Sequence, residues 1–136
     1  MDDINGGGSF NGAADLADLA ETTFSYLLRL SRGVTALADR ARLTLFAGVG
    51  GCAEMEEIVA GLQWSMSAMK ILTAQNGCNP AKSSAGDCEA DCAHIVASLK
   101  KALEAVANGD CVFFADMLEF EVNPVIVRWQ TWIMPS

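Results

Sequence analysis

Three thiols and an imidazole lie close together in the chain. Cys78, Cys88, Cys92 and His94 read C-x9-C-x3-C-x-H, a donor set suited to zinc. On a helix, residues four apart stack one above the other, so Cys88 and Cys92 share a face while His94 points to the other side. All four would converge on a metal only if a helix began after His94. Cysteine also serves as a small core residue, and packing is the stronger reading, with the metal set as the weaker alternative. A dinuclear metal bundle needs two Glu-x-x-His pairs and further inward carboxylates, and this chain has one histidine. The same scarcity removes the base from a nucleophile–base–orienter arrangement. The glycines at Gly48, Gly50 and Gly51 lack the preceding strand and following Lys-Ser/Thr of a phosphate loop, and read as a turn. No catalytic residue and no cofactor is assigned, and a non-enzymatic protein is expected.

Other residues suggest packing or contact. Glu121 falls between Leu118 and Val125 on an apolar helical face, with Arg128 about two turns further on, and a partner from another helix, such as Arg29, Lys70 or Lys100, is equally open. A buried carboxylate needs a partner or a proton, so an ion pair fixing helix register is expected, and Glu121→Ala should then cost a few kcal/mol. Trp64, Ile71, Phe113, Phe120, Trp129 and Trp132 are the candidate interaction residues, because large aromatics often anchor interfaces, although they also fill cores.

The elements that position these groups are helical. Leu16, Ala20, Thr23, Leu27, Leu30, Val34, Leu37, Ala41 and Thr44 step by fours and threes, which predicts a first helix over about 13–46. Whether Gly33 breaks it is left open. A second helix over 52–74 carries Met55, Val59, Leu62, Met66, Met69 and Thr73 on one stripe. Ala53, Ala60, Trp64 and Ile71 form another stripe opposite, marking a central or interfacial helix. The turn residues of 75–86 form the clearest loop. A third helix to about 108 would bury Cys88, Cys92, Ile95, Leu99, Ala102 and Val106, with Asp87, Asp91, His94, Ser98 and Lys101 wet. The last helix, 110–133, contains Pro124, which has no N–H for the Phe120 carbonyl and should kink it.

Of the 136 residues, 51% are hydrophobic, enough for a full core over residues 13–136. The glycine-rich 1–12 read as a flexible tail. Seventeen acidic against nine basic residues give a net charge of −8, which disfavours nucleic acid and anionic lipid as partners. No apolar run reaches the ~18 residues of a membrane span, no signal peptide is evident, and five cysteines suit a reducing cytoplasm.

Two short motifs carry a resemblance. Gly61-Leu62-Gln63-Trp64, and Asp116-Met117-Leu118-Glu119-Phe120-Glu121 followed by Pro124 and Trp129, resemble a family of small helical bacterial proteins. That family has a G-L-x-W segment and a D-L-L-E-Y-E-x-x-P-x-x-x-x-W segment. Met117 and Phe120 depart from its Leu and Tyr. The resemblance implies a helical fold and no particular chemistry. The expectation is therefore an all-α, antiparallel up-and-down bundle of four main helices. Its function is expected to be protein interaction, most simply as a homodimer. The alternatives are a small acidic chaperone for secreted or flagellar subunits, and a metal- or small-ligand-binding protein.

Overall fold

The computed structural model describes residues 13–44, 52–75 and 85–133. Helix α1 spans Ala13–Thr44, α2 Cys52–Ala74 and α3 Ala85–Ala107. The fourth helix is α4, Cys111–Met117, continued through a π-helical turn, Leu118–Val122, into α5, Asn123–Ile133. The expected tail at 1–12, the glycine turn and most of the 75–86 loop, with Cys78, lie outside the described residues.

Helix α1 runs unbroken through Gly33, which faces solvent. Its predicted seam is the packed one, with Thr23, Leu27, Leu30, Val34, Leu37 and Ala41 all buried. Cross-helix contacts fix the topology. Tyr26 meets Trp64 and Arg40 meets Glu54, so α2 runs antiparallel to α1. Ser31 bonds to Asn123, while Arg42 reaches Asp116, so the fourth helix is also antiparallel to α1. Asp91 pairs with Arg128 and His94 with Glu121, which sets α3 antiparallel to the fourth helix. The result is an up-and-down four-helix bundle in which α1 and α3 lie diagonally across one core. Fully buried Trp129, Phe114, Leu27, Leu37, Leu62, Met69 and Ile95 come from all four helices.

The join between α3 and the fourth helix has local causes. Gly109 takes φ +79°, the left-handed conformation that closes a helix and favours glycine. The Asp110 carboxylate then accepts a 3.0 Å bond from the Phe113 N–H and caps the next helix.

The disturbance expected at Pro124 takes the form of the π-turn. A regular α-turn would aim the Phe120 carbonyl at a proline ring that has no N–H. Instead the Asn123 N–H bonds to the Leu118 carbonyl, widening the turn by one residue before the proline, and α5 continues beyond it. Across this turn Val122 is buried and Glu121 stays on the outer side. The expectation of an enclosed Glu121 is corrected accordingly, since its side chain is 43% exposed. A second correction concerns Ser98, which is buried. Helix α3 packs against α2 on one side and the fourth helix on the other, so its covered arc is wider than a single stripe.

Candidate functional site

The wet positions of the fourth helix are more organised than their spacing suggested. Asp116, Glu119, Asn123 and Gln130 all turn toward α1. The Arg42 guanidinium of α1 donates to Asp116 Oδ1 at 2.8 Å and also to Glu119. Ser31 Oγ donates to Asn123 Oδ1 at 2.7 Å, and the Gln130 amide donates to the Leu27 carbonyl. The hydrogen bonds that Arg42 donates to Asp116, and then to Glu119, push its pKa above the ordinary value.

Around the π-turn this seam becomes a clamp. Glu119 is held by Arg42 from α1, and Glu121 is held by His94 from α3, with Nε2 to Oε1 3.1 Å. Between these carboxylates stands Phe120, 60% exposed, with the Arg42 guanidinium carbon 5.7 Å from its ring centre. Glu121 therefore pairs with His94. Arg128, the suggested partner, instead grips Asp91, donating from Nη2 to Oδ1 at 2.5 Å. The same carboxylate accepts the Trp129 indole N–H at 3.0 Å, which leaves Asp91 only 14% exposed. Each residue quoted for the D-M-L-E-F-E segment thus has a definite place. Asp116 and Glu119 bind Arg42, Met117 and Leu118 enter the core, Phe120 faces outward and Glu121 ties down α3. Trp129 and Trp132 are core residues, which removes both from the set of interaction candidates.

Phe113, Phe120 and Val127 follow one another at seven-residue steps along the solvent side of this helix, all substantially exposed. Leu43, beside Arg42 at the end of α1, is exposed as well.

The second motif occupies the opposite edge of α1. Gly61 of α2 faces Tyr26, and a Cβ there would overlap the Tyr26 hydroxyl and come within 3.1 Å of Leu30 Cδ1. One turn on, Trp64 stands edge-on to Tyr26, with ring centres 5.1 Å apart and planes at 68°. Trp64 remains 41% exposed, while Ile71 is partly buried. The G-L-x-W segment is therefore a notch for the chain's single tyrosine beside an exposed indole.

The thiol region is separate from both. Cys88 and Cys92 are buried side by side on α3 facing α2, and the Cys88 thiol is in hydrogen-bond contact with Thr73 and Cys92. Burial pushes the Cys92 thiol up from the ordinary 9.0 to about 12, and the Cys88 thiol in the same direction. His94 belongs to the other side of α3, against Glu121, so the described part of the zinc set is not brought together. Among the described residues no three His, Cys, Asp or Glu side chains group as metal ligands.

Arg42, Asp91 and Tyr26 were not singled out from the sequence. Arg42 and Asp91 find their partners 74 and 37 residues away, which no local spacing announces. Tyr26 had one signal, a glycine at a position of α2 where only glycine leaves room.

Fold and site together define a class: an all-α bundle whose marker residues build a clamped π-turn on one edge and a glycine notch on another. The chain belongs to the family described as Domain of unknown function (DUF8042), whose model matches residues 18–131. No curated protein and no solved structure matches the chain. No helix among the described residues is long and apolar enough to cross a membrane.

Proposed function

We propose that this is a non-enzymatic interaction protein that pairs with a second copy of itself through the solvent side of the fourth helix, centred on Phe120. The observation that carries this reading is the charge state of the Phe120 surroundings. Its two neighbouring carboxylates, Glu119 and Glu121, are each engaged within the chain, by Arg42 and His94. An exposed ring flanked by two free carboxylates would be a poor contact in a protein of net charge −8. With the carboxylates tied back, the ring stands at the middle of an apolar row. Phe113, Phe120 and Val127 are all exposed along the helix, which lets a second helix lie beside it. In an antiparallel pair with its twofold axis at Phe120, Phe113 of one copy meets Val127 of the other and Phe120 meets its own counterpart, a self-complementary contact.

The test is photo-cross-linking from position 120. Phe120 is replaced by benzoylphenylalanine, which preserves the ring and adds a photoreactive ketone. Illumination of the purified protein should give a covalent dimer whose cross-link maps to residues 113–127 of the second copy. Product that remains wholly monomeric, or a cross-link mapping to another helix, would overturn the reading.

A further inference from the structure

The groove between α1 and α2 carries a second recognition site, on the far edge of α1 from Phe120. Two hollows open there, about 250 Å³ and about 470 Å³, and Tyr26 and Glu57 line both. Arg29 lines the smaller one, with its guanidinium carbon 5.5 Å from the centre of the Tyr26 ring. That ring already attracts a cation from its own chain. The larger hollow has the remaining walls, Thr22, Ala60, Gly61 and Trp64, and among the described residues no basic side chain lines it.

We infer that the larger hollow binds an organic ammonium cation between Tyr26, Trp64 and Glu57. Three features of the site converge on this chemistry. The indole and phenol rings, in edge contact at 68°, both line the hollow, so a guest there lies against two aromatic side chains. Glu57 supplies a carboxylate at the rim, and among the described residues it forms no salt bridge, unlike Glu54, which holds Arg40. The ring pair is also fixed in place, because Gly61 lets the Tyr26 hydroxyl settle into the α2 backbone and hold the ring against Trp64. The hollow is open enough for a quaternary or primary ammonium group, and its ungated mouth suits either a free amine or a lysine side chain of another protein. An alkylated ammonium sheds water more readily than a bare one and gains more from the rings.

The site is tested by two-dimensional NMR of the full chain, following the Trp64 indole N–H. Trp129 and Trp132 are buried and serve as internal references. The probes are tetramethylammonium chloride and N-acetyl-lysine amide, with sodium chloride and the similarly shaped uncharged tert-butanol as controls. Tetramethylammonium should give a saturating shift at Trp64 that neither control reproduces. Glu57→Gln should weaken it several-fold, and Tyr26→Leu by roughly tenfold, as expected for loss of one cation–π wall. Trp129 and Trp132 signals that stay in place would show that the variants fold. Saturation by N-acetyl-lysine amide as well identifies a protein side chain as a competent source; saturation by tetramethylammonium alone identifies a free quaternary amine. A shift that is linear in concentration, or equal for the uncharged control, or unchanged in Glu57→Gln and Tyr26→Leu, would overturn the inference.

Discussion

The two edges of α1 solve the problem of helix contact in opposite ways. Toward the fourth helix, α1 offers Ser31, Arg42 and a backbone carbonyl, and contact is made by directed hydrogen bonds over long side chains. Toward α2, away from the Arg40–Glu54 pair near the end of the helix, it offers Tyr26 and Leu30, and contact is made by close approach over a glycine. A charged clamp tolerates movement and salt changes its strength, whereas a glycine notch tolerates no added atom and is indifferent to salt. The difference explains why the first edge can present Phe120 on a disturbed, π-helical turn while the second keeps Tyr26 fixed. The two quoted motifs mark these two edges, one each.

Substitutions separate the two modes. The largest effect belongs to Trp129→Ala, which empties a fully buried site and leaves Asp91 with one partner fewer. A loss of about 3–5 kcal/mol is expected in a denaturant titration. Next comes Gly61→Val, where the added branches meet Tyr26 and Leu30 and overpacking should cost about 1–3 kcal/mol. Adding Tyr26→Phe to that variant removes the overlapped oxygen and should restore part of the loss. If the double variant is no more stable than Gly61→Val alone, the notch has been misread.

How much of this was legible in the sequence follows from the same contrast. The α1 seam, the α2 boundaries and the Cys88–Cys92 stripe were readable because they depend on helical period, which is local. Pro124 announced a disturbance, and the notice was sound, but its form was not. Glu121 and Val122 flank the inward line from Leu118 to Val125 about equally, so period could not choose between them, and in the structure Val122 took the inward place. The register that puts Phe114, Leu118 and Val125 on one face puts Trp129 and Trp132 there too, so their burial was legible in the period, although such large rings equally suit an interface. Phe120 lies about 200° around the helix from buried Leu118, so helical period alone already sends it outward. The partners of Arg42 and Asp91 come from packing order, which period does not encode.

Smaller effects sharpen the charged edge. Arg42→Ala should lower the melting midpoint less than either core change, and the deficit should shrink as salt is raised, since the lost pairs are partly screened. A deficit independent of salt would mean that Arg42 acts through packing alone. Glu121→Ala should be the mildest, about 0.5 kcal/mol or less, because its pair with His94 is half-exposed. A loss of several kcal/mol would restore the enclosed carboxylate that the apolar spacing suggested.

The central claim, that the Phe120 edge is an interface between copies, is tested most directly by sedimentation velocity of the full chain over a wide range of concentrations. Phe120→Asp is run in parallel, with its thermal midpoint measured separately. The account predicts a monomer–dimer equilibrium for the native chain and a folded monomer for Phe120→Asp, with a midpoint close to that of the native chain at concentrations where it is monomeric, since the ring's contact within the bundle is a half-exposed one with Arg42. A native chain that stays monomeric at every concentration, or a dimer that survives Phe120→Asp, would contradict it.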